Sequence, residues 1–260
     1  MNRKIAGKGK AFLIHFSGAA IIATACCALI NTWYPAPYFE ILHGKELLIL
    51  ITAIELTLGP TITFVLFNPA GSKKELLATT TIAILIQLSA LSYGLYQAAS
   101  SRPLFLAFEG DKFRIVSRSD IKRSDLLKAP KEMQLLSWSG VKVIAVKLLD
   151  AGDPGLLESV QQDLQGMHPA YRPQRWQNYE TAKTRALEKS LNINPENLQS
   201  IAITPLQKQK DKDKDKDKDK DKDKSENIRI IPIVAYENKI NWAAIIDPSS
   251  ANITGFLKLK

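Results

Sequence analysis

The chain of 260 residues is 45% hydrophobic and carries a formal net charge of +9, which suits one or two domains of ordinary size. The long uncharged stretches lie before about residue 100, and most charged residues follow it. The basic residues are scattered and no nucleic-acid-binding motif accompanies them, so we expect no nucleic-acid partner; anionic lipid headgroups would attract the same charge. The composition therefore indicates a membrane segment followed by a soluble segment.

The first apolar stretch covers residues 11–30 and follows a basic N-terminus. A cleaved signal peptide looks similar, and the stretch from Ala23 to Cys26 loosely resembles a lipoprotein cleavage box. Two further apolar spans follow at once and the box lacks its usual leading leucine, so we expect the first span to be retained. Cys26 and Cys27 point about 100° apart on a helix, which does not favour a disulfide between them.

The second and third spans cover residues 47–67 and 76–96, each close to the ~20 residues that a helix needs to cross a bilayer. Aromatic residues crowd the connection after the first span, as is typical of a headgroup boundary. The basic N-terminus and Lys73-Lys74 outweigh Lys45 in that connection, which places the N-terminus inside the cell. Three crossings then place the C-terminal domain outside the cytoplasm. The basic residues that follow the third span run against this orientation, but long domains translocate largely regardless of charge.

An acid, Glu55, interrupts the second span at about the depth of Gln87 in the third, counted at ~1.5 Å of rise per residue. The two side chains are therefore expected to meet. Three interpretations stay open: an internal clasp between the two helices, a contact site for another membrane helix, and a proton or ion relay.

Small residues and a proline mark further packing surfaces. Pro60 removes a backbone donor and is expected to kink the second span, while Gly59 allows a neighbouring helix to approach closely. Ala90 and Gly94 stand at small-xxx-small spacing in the third span. Packing of the three helices on each other explains this pattern, and docking of a partner helix is compatible with it.

Beyond residue 100 the pattern changes to short alternating runs. Residues 104–108 and 112–117 are predicted strands joined by the hairpin signal Glu109-Gly110-Asp111, and residues 141–149 form a third candidate. Asp153-Pro154 is expected to open a helix that Gly166 closes, and a second helix is predicted over residues 180–191. A meander of strands is predicted at 228–236, 240–246 and 253–259.

The predicted fold is thus a membrane-anchored α+β protein, with three N-terminal transmembrane helices in residues 1–100 and a mixed, largely antiparallel periplasmic domain in residues 101–260. A Lys-Asp repeat at residues 207–227 has no apolar face to bury in either a helix or a strand. We expect it to be a disordered surface loop.

The motifs of common catalysts and metal sites do not occur in the sequence. There is no Gly-rich phosphate loop, no GxSxG elbow and no HExxH, and the histidines at 15, 43 and 168 do not pair at metal-ligand spacing. We expect neither an enzyme nor a cofactor or metal site. The segment MHPAYRPQRW, residues 167–176, either binds an anionic or peptide partner or is simply packed and solvated.

The assembled pattern resembles the type IV pilin accessory proteins of the TfpX/TfpZ type. The residues that carry the resemblance are Trp33-Tyr34-Pro35, Phe39, Gly44, Leu47, Glu55, Leu58, Gly59, Pro60, Lys74, Leu77, Gln87, Tyr93-Gly94, Arg102-Pro103, Phe108, Asp111 and Phe113. It is close over residues 33–120 and weaker beyond. The family favours Asp where this chain has Glu55 and Ala78, and the Lys-Asp repeat is not part of its pattern.

The resemblance implies a bacterial inner-membrane protein, chaperone-like rather than catalytic, that binds or stabilises a type IV pilin and promotes pilus assembly. Its partners would be the major pilin subunit, the pilus assembly machinery and membrane lipids. The partner-binding or helix-packing residues are then expected to be Glu55, Gly59, Pro60, Gln87, Gly94, Arg102 and Pro103. A membrane-anchored sensor or ligand-binding protein is the alternative.

Overall fold

The computed structural model of the chain describes residues 2–68, 70–193, 203–205, 228–235 and 240–259. They form two compact units: one contains Met1–Pro35 and His43–Arg102, and the other contains Ala36–Leu42 and Pro103–Lys260. The short connection after the first long helix is thus grouped with the second unit. The Lys-Asp repeat at 207–227 lies outside the described residues.

The first unit consists of three long helices: α1 (Asn2–Trp33), α3 (Gly44–Leu66) and α4 (Lys73–Ser101). Each is long and apolar enough to cross a membrane, over Ala6–Trp33, Gly44–Leu66 and Lys73–Ser101. The three predicted apolar helices are confirmed, and each is longer than its predicted span. Because α1 and α4 both pack along α3 and meet each other much less, a groove opens between α1 and α4.

Local sequence fixes where these helices start and how they are held. The Ser72 hydroxyl accepts from the backbone N–H of Glu75 at 3.3 Å, and the Ser72 N–H donates to the Glu75 carboxylate at 3.1 Å. This reciprocal capping box begins α4. Near the other end of the helix, the buried Tyr34 hydroxyl donates to the carbonyl of Ala98 at 2.8 Å, which ties the end of α1 to α4.

Within the described ranges of the second unit, nine strands form one mixed sheet. The strands are β1 (Pro103–Phe108), β2 (Phe113–Ser117), β3 (Lys142–Val146), β4 (Trp176–Asn178), β5 (Leu191–Ile193), β6 (Ile203–Pro205), β7 (Ile228–Val234), β8 (Trp242–Ile246) and β9 (Ile253–Lys258). Their order is β4-β3-β1-β2-β7-β8-β9-β6, with β5 paired to β7. The β1–β3 and β2–β7 pairs are parallel and the other pairs are antiparallel, so the predicted mixed, largely antiparallel sheet is confirmed.

The helices of this unit are short: α2 (Tyr38–Ile41), α5 (Arg123–Leu126), α6 (Lys131–Gln134), α7 (Leu156–Leu164) and α8 (Lys183–Lys189). Every residue of β1 and β2 is buried, so these central strands are covered on both faces. The main apolar core contains Phe105 of β1, Val116 of β2 and Trp176 of β4, with the Phe105 and Trp176 ring centroids 4.6 Å apart. In the β1–β2 hairpin, Gly110 adopts φ +89°. A Cβ there would also lie 2.6 Å from Leu148, so the predicted turn requires glycine.

Several predicted boundaries differ from the structure; the strand predicted at 240–246, for example, begins at Trp242. The helix expected to open at Asp153 starts at Leu156, because the Asp153 carboxylate closes the preceding turn by accepting from the N–H of Asp150 at 2.9 Å. The predicted helix over 180–191 ends at Lys189, because Leu191 already pairs with Ile230 of β7. The third strand is shorter than predicted and covers Lys142–Val146.

Candidate functional site

A chain of polar side chains joins the three long helices. Nε2 of Gln87 on α4 donates to Oε2 of Glu55 on α3 at 2.7 Å, and Oε1 of Gln87 contacts Nε2 of His15 on α1. The other ring nitrogen of His15, Nδ1, lies 2.5 Å from the Thr63 hydroxyl on α3. Glu55 and Gln87 therefore meet, as their matched depths predict.

The hydrogen bonds donated by His15 and by Gln87 both point toward Glu55. Because an amide oxygen only accepts, Nε2 of His15 donates to Oε1 of Gln87. Gln87 in turn donates to Glu55. Successive donors polarise one another in a low-dielectric setting. The hydrogen bond that Gln87 donates to the Glu55 carboxyl group is therefore strengthened by the one that Gln87 accepts from His15.

Glu55 ends this chain with one oxygen unused. Its side chain is buried, with 1% of the residue exposed, and Oε1 has no hydrogen-bond partner among the residues that the structure describes. Leaving a buried acceptor unsatisfied costs about 1–3 kcal/mol, more for a charged group. The internal clasp accounts for one carboxyl oxygen only, and the second is left without a partner among the described residues.

Gly59 makes this arrangement possible. A Cβ at that position would collide with the Gln87 side chain and would lie 2.9 Å from Nε2 of His15. The close approach that the sequence predicts at Gly59 is therefore made by two side chains of neighbouring helices. Pro60 lies buried beside it, and α3 continues through it to Leu66.

The other predicted packing residues lie apart from this polar chain. A Cβ at Gly94 would lie 3.2 Å from Ile51, so this glycine is a contact point of α4 on α3. The Arg102 guanidinium lies 5.8 Å from the centre of the Trp33 ring, at the ends of α4 and α1. Pro103 begins β1 in the second unit.

A cavity of about 510 Å³ opens beside the polar chain. Its walls are α1 and α4 and its floor is α3, and the lining is mostly apolar. The lining residues are Gly7, Lys10, Ala11, Ile14, His15, Gly18, Ala19, Ile22, Glu55, Thr63, Phe67, Thr80, Ile84, Gln87, Leu88 and Leu91. The free oxygen of Glu55 therefore belongs to a residue that lines an open groove.

Sequence reasoning missed His15 and Thr63. His15 was considered only as a possible metal ligand, yet it connects α1 to the other two helices. The depth argument used for Glu55 contains the missing signal, because His15 follows the start of the first span by about as many residues as Thr63 precedes the end of the second. Since adjacent spans are antiparallel, such residues lie at the same level.

The second unit contains its own buried ionic cluster. Glu109 accepts from Nε of Arg114 at 2.8 Å through one carboxylate oxygen, and through the other from the backbone N–H of Ala170 at 3.0 Å. The Arg114 guanidinium lies 5.8 Å from the centre of the Tyr171 ring. Burial, reinforced by the negative charge of Asp120, raises the pKa of Tyr171 to about 12. This cluster anchors the segment 167–176 to the β1–β2 hairpin.

The structure favours the packed interpretation of this segment. Arg172 is buried and donates to the carbonyls of Ser159 and Met167 at 3.0 and 2.5 Å, and burial lowers the pKa of its guanidinium. The indole N–H of Trp176 donates to the Ala170 carbonyl at 2.8 Å. These groups are used in holding the loop together. Within the described ranges, no three His, Cys, Asp or Glu side chains gather in the manner of metal ligands.

Comparison with known proteins identifies related chains along nearly the whole sequence. Residues 3–43 match the family described as Fimbrial assembly protein FimB. The chain is 32% identical over 249 residues to the fimbrial assembly protein of serogroup E1 from Dichelobacter nodosus, covering 93% of this chain and 91% of that protein. The fimbrial assembly protein of serogroup I from the same organism is 31% identical with the same coverage.

A shorter relative supports the same assignment. The fimbrial assembly protein of serogroups C1 and C2, also from Dichelobacter nodosus, is 39% identical over 117 residues, which cover 45% of this chain and 89% of that protein. No solved structure gave a significant match. Because two relatives align through both structural units, the chain belongs to the family of fimbrial assembly proteins.

Proposed function

We propose that this chain is an inner-membrane accessory factor of the TfpX/TfpZ type, which binds or stabilises a type IV pilin and promotes pilus assembly. Its three long helices span the membrane, its N-terminus is cytoplasmic and its sheet domain is periplasmic. It acts as a chaperone-like binding protein and performs no catalysis. The major pilin subunit is its direct partner, and it delivers that subunit to the assembly machinery.

The observation that carries this proposal is the similarity to fimbrial assembly proteins over 93% of the chain. An alignment of that extent includes the three apolar helices and the sheet domain alike. A shared helical unit of this kind suits a role at the membrane, where pilin subunits with apolar helices are held before assembly. A periplasmic domain would face the soluble part of the same subunit.

The direct test is deletion of the gene in its host, followed by measurement of surface pili and of pilin in the inner membrane. We expect surface pili to fall while pilin transcription stays unchanged, and a plasmid copy of the full chain to restore them. Normal surface pili together with normal membrane pilin in the deletion strain would refute an assembly role.

Variants at Glu55 separate hydrogen bonding from charge. Glu55→Gln keeps the shape and an oxygen that accepts from Gln87, whereas Glu55→Leu removes both oxygens from the polar chain. We expect Leu to impair piliation. Piliation that survives Gln would show that the site acts through hydrogen bonding rather than charge, and loss with Gln would show that both carboxyl oxygens are needed. Glu46→Leu is the matched control, because Glu46 is an exposed acid in the first turn of the same helix. Equal loss of pili in the Glu46 and Glu55 variants would remove any special role for the buried acid.

The sensor alternative makes a different prediction. A small ligand of the sheet domain would raise the melting temperature of the full-length protein in detergent, and pili would be normal in the deletion strain. An accessory factor instead gives a complex with pilin that survives purification in mild detergent.

A further inference from the structure

We infer that the groove between α1 and α4 holds one apolar transmembrane helix of the pilin, which brings a hydrogen-bond donor to Oε1 of Glu55. This inference rests on the proposed function and names the site and the chemistry of the contact. It concerns the groove of the first unit alone.

The dimensions of the groove fit a helix lying alongside α1. Its α1 wall runs from Gly7 to Ile22, which is about 22 Å at 1.5 Å per residue, or roughly four helical turns. The wall contains small residues, and a Cβ built on Gly18 meets no atom within 4 Å among the described residues. Small residues of this kind let a second helix backbone approach closely in a membrane.

The polar side chains around Glu55 favour a helix over a lipid as the occupant of the groove. Lys10 at one end of the groove is suited to a phospholipid headgroup, and the apolar walls are suited to acyl chains. An acyl chain, however, has no donor to offer at the level of Glu55. His15 donates to Gln87 and Gln87 donates to this carboxyl group, and its second oxygen still lacks a partner among the described residues. A helix side chain with an N–H or O–H group supplies that partner.

Site-specific photo-crosslinking in living cells tests the inference with adjacent probe positions. Ile22 and Ile84 line the groove, whereas their neighbours Ile21 and Leu85 do not. Neighbouring residues on a helix point about 100° apart, so each pair compares the groove with an outer face at the same depth. We expect an adduct with the major pilin from the two groove positions and its absence from the two outer positions.

Leucine substitutions at two glycines of α1, Gly18 and Gly9, provide a test variant and its matched control. Gly18→Leu fills the groove, while Gly9→Leu places the same side chain in open space on the same helix and outside the groove. We expect Gly18→Leu to abolish the pilin adduct at Ile84 and to reduce surface pili. Gly9→Leu should leave both unchanged, and both variants should accumulate in the membrane as the parent chain does.

The possible failures are distinguishable. Adducts with lipid alone, with a second copy of this chain, or equally from groove and outer positions would overturn the inference, as would a normal pilin adduct in Gly18→Leu. If the deletion strain nonetheless loses its pili, the assembly role stands and only the groove is wrongly assigned. If deletion leaves pili intact, the proposed function fails before the groove is considered.

Discussion

The buried pair of Glu109 and Arg114 allows a quantitative test of what holds the second unit together. Their side chains are 5% and 4% exposed, and the Glu109 carboxylate also accepts from the N–H of Ala170. Glu109→Gln preserves the shape but leaves one acceptor for two donors, so its NH₂ group must face either Arg114 or Ala170. Breaking a buried ion pair by removing one partner costs about 3–5 kcal/mol.

This loss of unfolding free energy converts directly into a shift of the urea denaturation midpoint. With a urea m-value of about 1–3 kcal/mol/M, a loss of this size lowers the midpoint by roughly 1–5 M. The assay is pulse proteolysis of the full-length protein in detergent micelles across a urea series, followed on fragments from the sheet domain. Asp125→Asn is the matched control, because it makes the same acid-to-amide change in an ion pair whose Lys128 partner is 62% exposed.

We expect the control to cost less than about 1 kcal/mol, as exposed ion pairs generally do. Equal midpoint shifts in Glu109→Gln and Asp125→Asn would refute the argument that burial of the Glu109–Arg114 pair sets its importance. A normal midpoint in Glu109→Gln would further show that the anchoring of segment 167–176 does not depend on this carboxylate.

Two further predictions concern the sheet domain. Burial raises the pKa of Tyr179 to about 12, and its hydroxyl donates to the buried carbonyl of Ala251 at 2.9 Å; Tyr179→Phe should therefore cost about 1–3 kcal/mol, measured by the same urea series, and an unchanged midpoint would contradict this. The Ser249 hydroxyl and the N–H groups of Ser250 and Ser249 hold the pKa of Asp247 at about 2. The stability that the Asp247 carboxylate contributes is fully present above its unfolded pKa of about 3.9, and it is lost as the pH falls through its folded pKa of about 2. Asp247→Asn should flatten the acid limb of stability between about pH 4 and pH 2, and an unchanged acid limb would refute the assignment.

The sequence predicts the long elements well because their signals are long. A span of ~20 apolar residues has few alternatives to a helix, and the strands around Gly110 are bounded by a turn that requires glycine. One boundary was missed because a short polar side chain had two possible uses. Asp153 is a good helix cap, but in this fold its carboxylate closes a turn instead.

The candidate site was predicted only in part. Glu55 and Gln87 are conspicuous because polar residues stand out in apolar spans, and their matched depths are readable by counting. His15 and Thr63 were not recognised because a single polar residue near the end of a span is compatible with the membrane surface. The open groove is a property of how three helices pack, and no periodicity within one helix encodes it.

The second unit is formed by two separate parts of the sequence, the connection between α1 and α3 and the residues from Pro103 onward. Tyr38 packs against Phe256 with ring centroids 5.7 Å apart, and the Glu40 carboxylate lies 3.6 Å from Nζ of Lys258. This early segment therefore packs against β9, which is made much later. At roughly 5–20 residues per second, the ribosome makes the two sides of this contact about 10–40 s apart. A fragment that begins at Pro103 lacks its first piece, and fragment boundaries for expression should carry residues 36–42 by fusion or circular permutation.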